Sequence, residues 1–243
     1  MQMKHHTFMN NISLLTYTHT NTKDVHPIYF GELNKYFPSL KNNYVTCNEK
    51  IDYANCIVYD DNETHGVQMI NTLKQIPTEY VIYAQEDYIL FDYVKTDELQ
   101  KLINYMEADK EIPFIRLIQS GLGNVKEKYN DDLAYLDSDW EYYFSTQITI
   151  WRKDILLQMY KNSNPERITS TEVNLVQHLR DISTKGMFHL KRGNQVGGHF
   201  NSHSYPYIAT AVVKGKWNHS EYSKELDTLF HKYNVNPFER GIV

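Results

Sequence analysis

Pro77-Thr78-Glu79-Tyr80-Val81-Ile82-Tyr83-Ala84-Gln85-Glu86-Asp87-Tyr88 reads as a short buried strand that runs straight into two adjacent carboxylates. Tyr80 to Ala84 is an unbroken apolar run, aromatic and β-branched, with Pro77 before it and acidic residues after it. Such runs belong to strands covered on both faces, as in a parallel sheet flanked by helices. In an open α/β sheet, ligands bind outside the carboxyl ends of the strands, where strand order reverses. Glu86 and Asp87 at such an end supply hard oxygen ligands, suited to hold a divalent cation against a diphosphate. An acidic turn that only keeps a strand end hydrated is the simpler alternative. The flanking segments decide between the two.

Upstream, Ile12 to Tyr17 is a strand-like run that ends in the polar turn Thr18-His19-Thr20-Asn21. Asp24 is placed to cap a helix carrying Val25, Tyr29, Leu33 and Tyr36 on one face, with Pro38 at its end. Strands follow at Tyr44 to Cys47 and at Cys56 to Tyr59, the second running into Asp60-Asp61-Asn62. Thr64 caps a helix with Val67, Ile70 and Leu73, closed by Pro77. Downstream, Thr96 to about Asp109 repeats the helical pattern through Leu99, Leu102, Ile103 and Met106. Strand and helix alternate, the mark of a parallel sheet with right-handed crossovers.

The second half is less regular. Phe114 to Ile118 reads as a strand leading to the loop Gly121-Leu122-Gly123-Asn124, and Phe144 to Trp151 as another strand. Helices are expected over Lys153 to Tyr160, Thr169 to Lys185, and from a Ser220 cap through Tyr233. Gly193 to Tyr207, with Gly197-Gly198 and two histidines, reads as a mobile loop. No repeat, low-complexity tract or linker interrupts the 243 residues, so one domain is the economical reading.

Composition narrows the function. A net charge of -5, with sparse Arg and no basic run, argues against a nucleic-acid surface. No apolar stretch reaches the length of a membrane span, and the N-terminus lacks a signal-peptide core, so a cytoplasmic location is expected. Cys47 and Cys56 both fall in strands; their spacing allows a disulfide, and two free buried thiols are the preferred reading. The 20 Tyr residues offer flat apolar faces with a hydroxyl, suited to stacking on a sugar or base.

Three strand ends in the first half carry polar groups: Thr18 to Thr20, Asp60-Asp61, and Gln85-Glu86-Asp87. Parallel strands bring them to one edge of the sheet, which favours a nucleotide site. The chain has no Gly-x-Gly-x-x-Gly turn and no Walker-type loop, which counts against dinucleotide and P-loop readings. A diphosphate bound here needs a metal ion to neutralise it, and the acidic strand end has the ligands.

This order of strand, Asp60-Asp61-Asn62, helix and Pro-Thr-Glu-Tyr-Val-Ile-Tyr-Ala-Gln-Glu-Asp resembles the GT-A glycosyltransferases, which use nucleotide-diphosphate sugars. The resemblance implies an α/β fold, a Rossmann-like, mixed and mainly parallel sheet flanked by helices, over residues 1–243. About 1–120 would bind the nucleotide sugar and about 121–243 the acceptor. It implies that Asp60 or Asp61 holds the nucleoside, with Thr18, His19 and Thr20 lining the donor site. Gln85-Glu86-Asp87 would sit at the family's Asp-x-Asp position, with Asp87 binding Mn²⁺ or Mg²⁺. Gln85 departs from that motif, because it brings no charge. The segment from Phe144 to Lys153 resembles the family's acceptor-side strand and helix.

The implied reaction moves a sugar from a nucleoside diphosphate to the hydroxyl of a glycan or other acceptor. If the anomeric configuration inverts, a carboxylate must take the acceptor proton. Glu172 is the candidate, at the start of the helix after the acceptor strand, with Asp137 and Asp139 in reserve. Thr169-Ser170-Thr171-Glu172 also fits a capping box, with Glu172 reaching back to the Thr169 amide. His199 is a candidate further metal ligand, and His203 a weaker one. Lys191, Arg192 and Lys214 to Lys216 are candidate diphosphate contacts. Trp140, Tyr142, Tyr143 and Trp151 are candidates for an acceptor platform, although Trp151 lies on a strand and fits the core. Two rival readings are a nucleotidyltransferase that makes sugar nucleotides and a non-catalytic carbohydrate-binding module.

Overall fold

The computed structural model describes residues 10–120 and 125–243; the loop read at Gly121 to Asn124 lies outside them. Four strands form the parallel half of the sheet: β1 (Ile12–Tyr17), β2 (Asn43–Cys47), β3 (Asn55–Val58) and β4 (Tyr80–Gln85). Their spatial order is β3-β2-β1-β4. Chain order therefore reverses at β1, which pairs in parallel with β2 on one side and β4 on the other. The crossover helices are α1 (His26–Tyr36) and α2 (His65–Gln75), and α3 (Thr96–Ala108) follows β4.

The sheet then continues as β9 (Thr149–Arg152), β5 (Phe114–Arg116), β10 (Met187–His189), β8 (Leu133–Leu136) and β7 (Val125–Lys128). β9 runs antiparallel to both β4 and β5, while β5 and β10 are parallel to each other. The carboxyl ends of β5 and β10 therefore face the same edge as that of β4. The other strands are the short β6 (Gln119–Ser120), β11 (Arg192–Val196), β12 (His199–Ser202), β13 (Val212–Val213) and β14 (Lys216–Trp217). β11 and β12 pair antiparallel, with β6 on the far side of β12. The segment Gly193 to Tyr207 is thus largely a hairpin rather than a loop. Its first strand is exposed, so it carries no apolar alternation from which a strand could be read.

Alternation along β1 and β4 sends side chains to two different cores. Leu14 and Ile82 pack beneath α1 and α3 with Tyr29, Leu33, Leu99 and Leu102. Leu15, Val81 and Tyr83 face the opposite way, toward α2, α4 (Lys153–Ser163) and α5 (Thr171–Ile182). Trp151 belongs to this second layer, fully buried, as its place on a strand implied. A third cluster joins α1 to α6 (His219–Tyr233) through Val25, Ile28, Trp217 and Phe230.

The caps are partly as expected. Thr64 Oγ1 accepts from the Val67 amide at 3.3 Å, a cap contributing about 1 kcal/mol. α1, in contrast, begins after Val25, and Asp24 is drawn away into an ion pair with Arg240 of α7 (Pro237–Arg240). Asn218 precedes α6, with no side-chain cap. Cys47 and Cys56 are both free thiols on neighbouring strands. No helix among the described residues is long and apolar enough to cross a membrane.

Candidate active site

The reversal of strand order opens a crevice between the ends of β1 and β4, and the predicted polar residues meet there. Thr18 is buried, and its Oγ1 lies 2.8 Å from His26 Nε2 and 3.2 Å from Thr22 Oγ1. The Thr18 and Thr22 hydroxyls both turn to the Glu86 carboxylate. The Thr20 amide donates to Asn48 Oδ1 at 2.9 Å, and Asn48 Nδ2 returns a bond to Thr20 Oγ1 at 3.0 Å. His19 Nε2 is 3.2 Å from Asp61 Oδ2, so the turn after β1 and the end of β3 are joined. Tyr17 and Tyr59 stack beneath this rim, centroids 5.3 Å apart. Asp60 is engaged locally, its Oδ1 accepting from the amide and side chain of Asn62.

Electrostatics single out the end of β4. Burial pushes Glu86 above the usual carboxylate range. Asp87 is pushed up to about 8, chiefly by burial and then by the neighbouring Glu86. The Val212 amide and the Arg240 guanidinium act in the opposite direction. Burial and the like charge of the neighbour both disfavour the ionised carboxylates, and a divalent cation held between them would offset that cost. Arg240 was not foreseen. It is a lone arginine far along the chain, held by Asp24 Oδ2 at 2.8 Å from its Nε and by the Gly215 carbonyl at 3.2 Å.

A cavity of about 560 Å³ lies beside this edge, lined by Arg116, Trp140, Tyr142, Glu172 and His199 among others. Glu172 does not cap its own helix. A short 3-10 turn, Ile168–Ser170, precedes α5, and Ser170 Oγ satisfies the Arg167 amide. Glu172 Oε1 instead accepts from the Thr146 amide at 2.7 Å, from Ser145 Oγ at 2.9 Å and from Thr146 Oγ1 at 3.1 Å. All three donors meet one oxygen. Arg116, buried at the end of β5, donates from Nη2 to the Tyr142 and Tyr143 carbonyls, while its Nε is buried without a partner. Burial lowers His199, with Arg116 acting in the same direction against Glu221.

The two regions are linked by short steps. Tyr88, next to Asp87, donates its hydroxyl to the Thr146 carbonyl at 3.3 Å. Tyr207 donates to Gln147 Oε1 at 2.7 Å, and Gln147 lines the cavity. Other predicted residues lie elsewhere. His199 shares the cavity with Glu172, and among the described residues no hydrogen bond or ion pair joins it to Asp87. Asp137 and Asp139 form a turn whose carbonyls are held by Arg180, and neither lines the cavity. Lys191 pairs with Glu98 at 2.7 Å, Arg192 lies over the Phe200 ring, and His203 meets Lys95. Tyr143 is buried, its hydroxyl donating to the Ser183 carbonyl.

No family model matches this sequence, and no relative is found among curated proteins. Solved structures do share its architecture. The 1–349 fragment of S. aureus TarS superposes with a TM-score of 0.51 at 15% identity, over 83% of this chain and 60% of that one. The same fragment in complex with UDP gives 0.51 at 13% identity, over 94% and 66%. The fold is a GT-A fold. A cytidylyltransferase from Leptospira borgpetersenii superposes more loosely, with a TM-score of 0.48 at 11% identity over 94% and 97%. This GT-A chain spans about 60% of the first TarS fragment's length.

Proposed function

We propose that the protein is a glycosyltransferase that moves a sugar from a nucleoside-diphosphate sugar to the hydroxyl of a glycan or other acceptor, with inversion. The observation that carries this reading is the proximity of two carboxylate centres at one sheet edge. Asp87 lies at a strand end, and Glu172 lies in a cavity, tied to it through Tyr88 and Thr146. The first suits a donor diphosphate and the second an acceptor. That a structure sharing the fold is in complex with UDP supports a nucleoside diphosphate as the ligand class.

In this reading the crevice between β1 and β4 takes the donor. Asp61, His19 and Thr20 hold the nucleoside, with buried Thr18 fixing the turn behind them, while Gln85 and Glu86 border the ribose and diphosphate. Asp87 would hold Mn²⁺ or Mg²⁺, which when bound stabilises charge on the leaving diphosphate. Arg240 adds a fixed positive charge on the same side, close to both acidic groups. Trp140 and Tyr142, in edge contact at 5.5 Å, flank the acceptor sugar.

The acceptor hydroxyl attacks the anomeric carbon. Its C–O bond forms as the bond to the diphosphate oxygen breaks, and the diphosphate departs with the electron pair. Glu172 takes the hydroxyl proton. Three donors on Oε1 fix the carboxylate and leave Oε2 for that proton. His199 lines the acceptor cavity together with Glu172.

Calorimetry against UDP, GDP, CDP, their sugars and the corresponding triphosphates, with and without Mn²⁺, tests the proposal. One nucleotide diphosphate should bind, more tightly with metal. Binding of a nucleoside triphosphate with no response to any diphosphate or its sugar would instead support nucleotidyl transfer. No nucleotide binding at all would remove both readings.

A further inference from the structure

Under the first turn of α3, three side chains from separate elements converge. Asp132 directly precedes β8, His189 ends β10, and Glu98 belongs to α3. Register fixes the first two: His189 pairs with Leu133, and the Leu190 amide donates to the Asp132 carbonyl at 2.8 Å. Asn130 Oδ1 tightens the same turn by accepting from the amides of Asp132 and Leu133. One ligand atom from each of Glu98, Asp132 and His189 lies within 4.8 Å of the others, the one such trio among the described residues.

His189 is buried to 1% exposure, and its Nε2 has no hydrogen-bond partner. Glu98 Oε2 is likewise buried and unpartnered, 4.0 Å away. Ser204 Oγ lies 3.4 Å from Nδ1 and can accept its proton, the tautomer that a metal on Nε2 requires; Nε2 is then a bare lone pair. Two buried acceptors then face each other. That arrangement is costly unless a cation lies between them. Each needs to move by less than about 1 Å to stand about 2.0–2.2 Å from one ion.

We propose that Glu98, Asp132 and His189 bind a divalent transition-metal ion of the Zn²⁺ class, at a site that shares no residue with the acidic end of β4. One imidazole nitrogen and two carboxylates favour Zn²⁺ over Mg²⁺, which prefers oxygen ligands and keeps its waters. Two ammonium groups compete for the same carboxylates: Lys101 lies 2.6 Å from Asp132, and Lys191 lies 2.7 Å from Glu98 and 3.5 Å from Asp132. Their side chains are 46% and 39% exposed, so both can swing into water as the ion enters. Bound metal would clamp the base of β11 and the start of α3 to the sheet.

Calorimetric titration of the metal-stripped full chain with Zn²⁺ tests the site, in an Asp87→Asn background that removes the β4 carboxylate. One equivalent should bind, and Mg²⁺ should not displace it. His189→Gln should weaken Zn²⁺ by about tenfold or more, consistent with loss of a ligand. Lys191→Gln, a change at a half-exposed residue that leaves the fold intact, should tighten it by removing a competing cation. Absence of Zn²⁺ binding, equal affinity in His189→Gln, or unchanged or weaker affinity in Lys191→Gln would each overturn the proposal.

Discussion

The Tyr88 hydroxyl donates to the Thr146 carbonyl across 3.3 Å, and this bond ties the residue after Asp87 to the residue whose amide holds Glu172. It crosses from β4 to the segment before β9, the antiparallel strand inserted next to it. The two carboxylate centres are therefore parts of one framework.

Asp87 gives the pH dependence. Its carboxyl is raised from 3.8 to about 8 in the folded protein. At pH below about 4 the folded and unfolded states both hold the proton. Between about 4 and 8 only the folded state does, so stability falls as pH rises through that window. Asp87→Asn should therefore raise the Tm at pH 8, by the equivalent of a few kcal/mol, and change it little at pH 4. It should also abolish the metal-dependent part of nucleotide binding. Melting curves at both pH values, with and without Mn²⁺, check both statements.

Glu172→Gln keeps an oxygen in place to accept from Ser145 and Thr146, and so preserves the local geometry. Donor affinity should be unchanged while kcat falls by about 10²–10⁴. Transfer at the original rate would leave Glu172 with the task of orienting the loop at Ser145 and Thr146.

Arg240→Gln should weaken a nucleoside diphosphate by about tenfold, the effect of losing one charge-assisted contact. A nucleoside lacking phosphate should bind as before. Comparing the two ligands by calorimetry separates loss of charge from a general loosening of α7.

Gly66 lies where α2 meets the end of α4. A Cβ there would stand 2.4 Å from Asn164 Oδ1 and 2.7 Å from Asn164 Cα. The backbone cannot retreat easily, because the His65 and Gly66 amides donate to the Glu166 and Pro165 carbonyls at 3.0 and 2.8 Å. Gly66→Ala should cost about 1–3 kcal/mol in urea unfolding and leave the KM for donor unaltered.

Local signals carried the first half of the fold. The apolar runs of β1 and β4, the Thr64 cap and the helical spacing of Leu99, Leu102 and Met106 are each written within a few residues. The convergence of Thr18, Asp61 and Glu86 followed, because parallel strands align their ends. The central place of β9 was out of reach, since its partners lie far away in sequence on both sides. The β11–β12 hairpin escaped because exposed polar strands with Gly197-Gly198 lack periodicity. Glu98, Asp132 and His189 come from three elements with no shared spacing, so no motif announces them. Glu172 stands at the start of α5 as its sequence position implies, while its partners Ser145 and Thr146 could be seen only in three dimensions.

Arg240 reaches back over 216 positions to Asp24 and stands near the acid pair at the end of β4. Every strand of the nine-stranded sheet, by contrast, lies before residue 190. Synthesis proceeds from the N-terminus, so a growing chain can complete that sheet some fifty residues before its balancing arginine is made. A chain stopped at Glu239 would own the whole platform, with the acid pair at its edge lacking this positive charge. The sheet and the charge at its edge are thus set by segments far apart in the order of synthesis.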